Sequence, residues 1–342
     1  MPRAKLCVVI VSYDTPADVR RCLASLAQSR WSDFAVFVCE NAGAEAFARL
    51  RETLSGGQGV LEPVKPGSGS LDQAAGRLAA VAAYRLRGPA VQVRIGAASD
   101  NLGYGGGVNA WLERLLAEPG WEAVLVLNPD TELDQDCLGA LMAKAAEGYG
   151  MVGPTLVFDK APNLVISYGL IWSRLTGRVI AAGRNAPAGA EPAPALLARL
   201  DAISGACVLV TRAFVEDVGL MAEDYFLYME DLDWGMRRGR HRIGVAARAI
   251  VRHIGGTAIG SAVDPRRRSR LSNYLMARNL VRFSRRRAGA WWAGHLVTEL
   301  LYAARCLIHG APAAARDTLI GAIDGARGKS GRPAWLTRPD HG

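Results

Sequence analysis

The sequence predicts an α/β protein: an open, mostly parallel sheet with helices on both faces, followed by further helices. Two observations carry this. Short, apolar, β-branched runs recur up to Leu127, separated by segments long enough for helical crossovers. Polar residues able to do chemistry follow directly on those runs, at the sheet edge where α/β proteins bind their ligands.

Leu6–Val11 reads as a buried parallel strand. Asp14-Thr15-Pro16 then starts a helix, since Thr15 can cap, Pro16 suits the first turn and Asp18 favours the positive end. Val19, Leu23 and Leu26 form its apolar stripe, and Ala35–Cys39 completes a βαβ unit. Residues 55–90, rich in Gly, Ala and Pro, are expected to be a loop-and-helix insertion. Val91–Ile95 is a third strand. A helix over Val108–Leu116 carries Val108, Trp111, Leu112 and Leu115 on one face, and Ala123–Leu127 is a fourth strand. Residues 181–200 form an Ala/Pro/Gly loop, either a lid or a tolerated insertion. Ile203–Thr211 and Ile243–Ala247 read as strands, Asp231–Arg238 as a helix, and the chain is helical from Arg270.

The composition, 50% hydrophobic and 21% charged over 342 residues, is that of a globular chain with a sizeable core. Six scattered cysteines form no CxxC pair or zinc-like cluster, which predicts buried thiols in a reducing compartment. The chain enters a strand within a few residues and lacks a signal peptide's apolar region, so a cytoplasmic location is expected. No stretch is apolar enough to span a bilayer; the best, Trp291–Ile308, carries His295, Glu299 and Arg305. The net charge of +9 is uneven, with nine arginines and no acid between Arg266 and Arg287. Such a block suits nucleic acid, an anionic membrane or a polyanionic substrate. No zinc finger or RNA-recognition signature appears, so a nucleic-acid partner is not expected.

Asn128-Pro129-Asp130 follows a strong strand and puts a carboxylate where a hard cation would want one, although the tripeptide is also ordinary turn chemistry. Glu230, Asp231 and Asp233 cluster behind an aromatic run. Clustered acids bind cations or do acid–base work, or else decorate a helix N-terminus. His253 closes a strand-like run and is either a surface histidine or a metal ligand. Asn101–Asn109 is a glycine-rich loop before a helix, able to approach a pyrophosphate. Its glycines follow the third strand rather than the first, which disfavours a dinucleotide cofactor.

In order, VVIVSYD, CEN, NLGYGGGVN, LNPDTEL, SGACVLVTR, YFLYMEDLDW and VRHIGG resemble the GT-A glycosyltransferases of family 2, especially the rhamnosyltransferase-like branch, over about residues 6–285. The resemblance implies a Rossmann-like nucleotide-binding sheet. Residues 1–265 would form the transferase domain, with a donor half to about 150 and an acceptor half after it. Residues 266–325 would be basic, amphipathic helices and 326–342 a mobile tail. By the same resemblance, Ser12, Tyr13, Glu40 and Asn41 cradle base and ribose, and Asn101, Gly103 and Asn128 shape the donor pocket. Asp130 and His253 hold Mg²⁺ or Mn²⁺, Asp231 is the catalytic base, and Glu230 and Asp233 orient the acceptor. The family often has Asp where Glu40 stands, and only Asp130 of the Asn-Pro-Asp motif can be a strong ligand. The implied reaction is inverting transfer from a nucleotide sugar, first dTDP-rhamnose, to a hydroxyl of a glycan or polyprenyl-linked acceptor. A UDP-sugar-dependent galactosyl, glucosyl or galactofuranosyl transferase is the alternative. An inactive GT-A partner protein is the reading from another class.

Tyr274, Arg278 and Asn279 also match that branch. In Trp291–Ile308, Leu296, Val297, Leu300, Leu301, Ala304, Leu307 and Ile308 share one face, opposite His295, Glu299, Tyr302, Arg305 and His309. Such a helix docks on its own domain by its apolar face. Alternatively, with the arginine clusters and Trp291-Trp292, it lies on the inner face of an anionic membrane.

Overall fold

In a computed structural model that describes residues 4–255 and 264–336, the elements follow one another as β1 (Leu6–Ser12), α1 (Pro16–Ala27), β2 (Phe34–Glu40), α2 (Ala44–Ser55), β3 (Leu61–Pro63), β4 (Leu78–Leu86), β5 (Gln92–Ala98), α3 (Gly103–Leu116), β6 (Ala123–Leu127), β7 (Thr131–Leu133), α4 (Cys137–Ala146) and β8 (Tyr149–Phe158). Next come β9 (Val165–Ser167), β10 (Leu170–Trp172), β11 (Val179–Ala181), α5 (Pro194–Leu197), β12 (Cys207–Thr211), α6 (Arg212–Val218), α7 (Glu230–Met236), β13 (Arg242–His253), α8 (Arg270–Arg287), α9 (Trp292–Ile308) and α10 (Pro312–Ala326).

The main sheet runs β3-β4-β5-β2-β1-β6-β12-β8-β13-β7, with β9 on β8. Its centre is parallel: β1 pairs with β2 and β6, and β2 with β5. The strand order reverses between β1 and β6, so the crevice lies beyond their C-terminal ends. Alternation along the strands divides the core. Leu6, Val8 and Ile10 face α1, α2 and α4, while Cys7, Val9 and Val11 face α3 and α6. All six cysteines are buried and free, as their apolar contexts predict.

Four expectations change. Residues 55–90 contain two antiparallel strands, β3 and β4, which extend the sheet edge by pairing β4 to β5. The glycine run is not a loop but the opening of α3, buried from Gly103 to Gly107 apart from Tyr104. Close approach demands it: a Cβ on Gly103, whose φ is +73°, would lie 2.3 Å from the Phe226 carbonyl oxygen, and one on Gly107 2.7 Å from a Val11 methyl. Residues 327–336, expected within a mobile tail, return to the body. Gly331 donates its N–H to the Asp224 carbonyl, and Trp335 stacks edge-on against Tyr274 at 5.6 Å. Residues 337–342 of that stretch lie outside the described residues.

The fourth concerns α9. It docks by its polar side, burying His295, Glu299, Ala303 and Cys306. His295 fixes this orientation: its Nδ1 lies 2.8 Å from Ser284 Oγ on α8 and its Nε2 2.8 Å from the Arg174 carbonyl oxygen. No helix among the described residues is long and apolar enough to cross a membrane.

Candidate active site

The C-terminal ends of the central strands supply the site. At the end of β1, Ser12 is fully buried and donates to Glu40 Oε2 at 2.7 Å, while Glu40 Oε1 accepts the Asp14 and Ala42 N–H groups at 3.0 Å. Asn41 accepts the Leu102 N–H and donates to the Gly103 carbonyl. Ser12, Glu40 and Asn41 thus hydrogen-bond one another's strand ends and the start of α3. Their polar atoms tie the ends of β1 and β2 to the start of α3. The longer Glu40 side chain is taken up in that tie, leaving Tyr13, 45% exposed, at the rim. Asn101 is half-buried, and its side-chain oxygen accepts the Gly103 N–H at 3.1 Å. Asn128 donates its N–H to the Ala206 carbonyl, joining β6 to the turn before β12.

Strand register brings Asp130 and His253 together. β7 pairs antiparallel with β13, placing His253 opposite Thr131, and the Ile254 N–H donates to the Asp130 carbonyl. The side chains meet with His253 Nε2 3.3 Å from Asp130 Oδ1, both still partly open to solvent. Two cis ligands of one ion at bonds of about 2.1 Å sit about 3 Å apart, so the pair fits a divalent cation. No group of three or more His, Cys, Asp or Glu side chains forms a closed metal site among the described residues. A cation here would thus fill its coordination with substrate oxygens and water, the usual way magnesium is held.

Asp231 opens α7. Its Oδ2 accepts the Gly205 N–H and its Oδ1 the Leu232 N–H, both at 2.8 Å. Burial raises its affinity for a proton, against the pull of those N–H bonds. Beside it, Glu230 is buried, and burial and then the Asp231 charge push its pKa to about 8. Its Oε2 has no hydrogen-bond partner. Tyr104 links the two halves of the site. Its hydroxyl donates to the Gly205 carbonyl at 2.6 Å, and burial and then the charges of Glu230, Asp231 and, more weakly, Asp130 hold its phenol well above the ordinary value. Asp233, expected to orient the acceptor, is drawn instead into an ion-pair network: Oδ2 meets Arg237 at 2.7 Å and Oδ1 meets Arg287 at 3.2 Å. Both its oxygens are spent on the fold.

Residue types alone do not reveal one further part of the site. The segment before Asp231 holds Phe226, Tyr228 and Met229 at φ +66°, +70° and +78°, the left-handed region that non-glycine residues avoid. Asn279 of α8 braces it. Its Nδ2 lies 2.9, 2.7 and 3.1 Å from the carbonyl oxygens of Tyr225, Leu227 and Tyr228, and Arg278 Nη2 donates to the Tyr225 carbonyl at 2.8 Å. The signal lay in the Arg278-Asn279 pair, whose residues the resemblance marks but whose target it does not.

The architecture is that of the GT-A glycosyltransferases, enzymes that draw on nucleotide sugars, and this chain is a glycosyltransferase of that fold. It is 24% identical over 253 residues to the low-salt glycan biosynthesis hexosyltransferase Agl10 of Haloferax volcanii, covering 68% of this chain and 75% of that protein. It is 32% identical over 166 residues to the N-acetylglucosaminyl-diphospho-decaprenol L-rhamnosyltransferase of Mycobacterium tuberculosis, 43% of this chain and 53% of that enzyme. The chain thus spans about half the length of this second relative. No protein-family model matches. GalNAc-T7, solved with UDP, GalNAc and Mn²⁺, superposes with a TM-score of 0.52 at 12% identity over 94% of this chain and 55% of its own, a likeness of fold.

Proposed function

We propose that the chain transfers a hexose from a nucleotide diphosphate sugar to a hydroxyl of a glycan or polyprenyl-linked acceptor, with inversion at the anomeric carbon. dTDP-rhamnose is the first candidate donor and a UDP-sugar the second. The observation that carries this reading is the convergence of the Asp130–His253 pair and the Glu230–Asp231 pair around Tyr104 at the sheet's switch point. The relatives support the acceptor class, since one is named for glycan biosynthesis and the other for a diphospho-decaprenol substrate.

Asp130 and His253 would hold a divalent cation, Mg²⁺ or Mn²⁺, and GalNAc-T7 was solved with Mn²⁺. Such an ion would neutralise charge developing on the leaving diphosphate. Asp231 accepts the proton of the attacking hydroxyl. Its two backbone N–H bonds aim the carboxylate, and its burial makes it a better base than an exposed aspartate. Glu230, neutral below about pH 8, adds no second charge beside the base and can donate a hydrogen bond to the acceptor. Tyr13 offers an aromatic face at the rim for the base of the nucleotide. Residues 1–265 carry this chemistry, with the donor contacts before residue 150 and the base after it.

The test is turnover and binding of dTDP-rhamnose, UDP-galactose, UDP-glucose and GDP-mannose with Mn²⁺, Mg²⁺ or EDTA, on wild type and Asp130→Ala. One donor used only with metal, and lost in the variant, establishes the reading. Binding of no donor under any condition overturns it.

A further inference from the structure

The outward side of α9 is mostly apolar along its length, with Arg305 exposed beside it. Val297, Leu300, Leu301, Leu307 and Ile308 are 53, 40, 66, 58 and 82% exposed, and Trp291, just before the helix, is 66% exposed. An amphipathic helix that merely covered its own domain would turn this face inward. Here the two hydrogen bonds of the buried His295 lock the reverse orientation, and Glu299 is buried on the same side. The exposed face is therefore specified rather than left over. It exceeds the scattered exposed hydrophobics of ordinary surfaces and marks a contact site.

Charge identifies the partner. Between residues 265 and 336 the chain carries fourteen arginines and lysines against three acids, Glu299, Asp317 and Asp324. All three acids are buried. Arg270 and Arg316 approach Asp317, and Lys329 pairs with Asp324. Arg278 is buried, Arg282 and Arg286 pair with Asp224 and Arg287 with Asp233; the remaining cations, Arg305 of α9 among them, leave the C-terminal helices exposing apolar and cationic groups and no carboxylate. That combination matches an anionic lipid surface: apolar side chains enter the acyl boundary, arginines meet the headgroups, and tryptophan favours the interface. A second protein copy would bring its own exposed cations, Arg305 of α9 among them, to the same contact.

We propose that the outward face of α9 docks this protein on anionic bilayers, lying in the interface without crossing it. This stands whichever donor the active site takes.

The experiment is flotation of the full chain with phosphatidylcholine vesicles containing 0 or about 30% phosphatidylglycerol, at low and high salt. Wild type is compared with Leu301→Glu/Ile308→Glu and with Leu301→Ser/Ile308→Ser. The sites are exposed, and circular dichroism with thermal unfolding verifies that each variant is folded. Wild type should float with the anionic vesicles at least tenfold better than with neutral ones, less so in high salt. The glutamate variant should lose binding at least tenfold, and the serine variant should fall between. Failure of wild type to float, equal flotation of the folded variants, or indifference to the anionic lipid overturns the proposal. So does a wild-type dimer, seen by light scattering, that the same substitutions disperse while flotation is unchanged.

Discussion

Replacing Asn279 by alanine should slow catalysis without touching any group placed at the reacting atoms. Three left-handed non-glycine residues lead into Asp231. At about 1–2 kcal/mol each, they store about 3–6 kcal/mol. Opposing this, the Asn279 amide satisfies buried carbonyls of the same segment. Its two hydrogens can serve two of the three acceptors well at any moment, and each abandoned acceptor costs about 1–3 kcal/mol. Losing about 2–6 kcal/mol of bracing is comparable with the stored strain, so the segment should relax and Asp231 should leave its N–H cradle for much of the time. If the aligned state falls to between a tenth and a hundredth of its population, kcat falls about 10- to 100-fold. The donor KM should hold within about threefold, because Asp130, just before β7, and His253, on β13, are brought together by their own strand pairing rather than through Asn279. The assay is steady-state donor turnover, with limited proteolysis reporting on residues 225–231 and circular dichroism on the fold. If Asn279→Ala lowers the unfolding temperature but keeps kcat within twofold, the bracing argument is refuted and Asn279 is only packing.

Asp231→Asn removes the base while keeping an acceptor for the Gly205 N–H, so transfer should fall about 10²–10⁴-fold with nucleotide binding intact; isothermal titration beside the rate measurement checks both. Activity should also fall as pH drops through the raised Asp231 pKa, giving an acid limb above that of an exposed aspartate, read from kcat against pH. Glu230→Gln tests the neutral-acid assignment through stability. The folded pKa of about 8 exceeds the usual 4.5, so the unfolded chain holds fewer protons between those values and wild type loses stability as pH rises across that window. At about 1.4 kcal/mol per unit the full penalty is several kcal/mol. The glutamine variant, unable to ionise, should therefore gain on wild type in urea unfolding at pH 8.5 relative to pH 5; parallel curves would sink the assignment.

Much of this was legible in the sequence, and the misreadings have physical causes. β1, β2 and β6 were readable because buried parallel strands are unbroken apolar runs. β4, whose sequence LAAVAAYRL is alanine-rich, carries helix propensity, and its pairing with β5 and β3 makes it a strand. The glycines of α3 were visible as glycines. Their reason, contact with Phe226 and Val11, lies far away in the chain or in another layer. The α9 pattern separated most of the two faces, although Arg305 and His309 are exposed with the apolar residues, and it did not say which face turns inward, because that choice rests on His295 finding Ser284 and Arg174. Asp130, Asp231 and His253 were singled out by position after strands or before a helix. The diversion of Asp233 depended on Arg237 and Arg287, one of them far along the chain.

The place of β12 bears on how the molecule is made. This strand enters between β6 and β8, pairing Cys207 with Leu127, and it runs antiparallel to both. Until it arrives, a ribosome-bound chain that has already formed β1, β2, β5 and β6 offers β6 as an open, wholly apolar edge. Long-range closure of this kind is slow and exposes the nascent chain to aggregation in the interval. A fragment ending near residue 150 would keep that edge permanently. The donor half is thus a region of the map rather than a separable piece, and efforts to produce it alone should give insoluble protein.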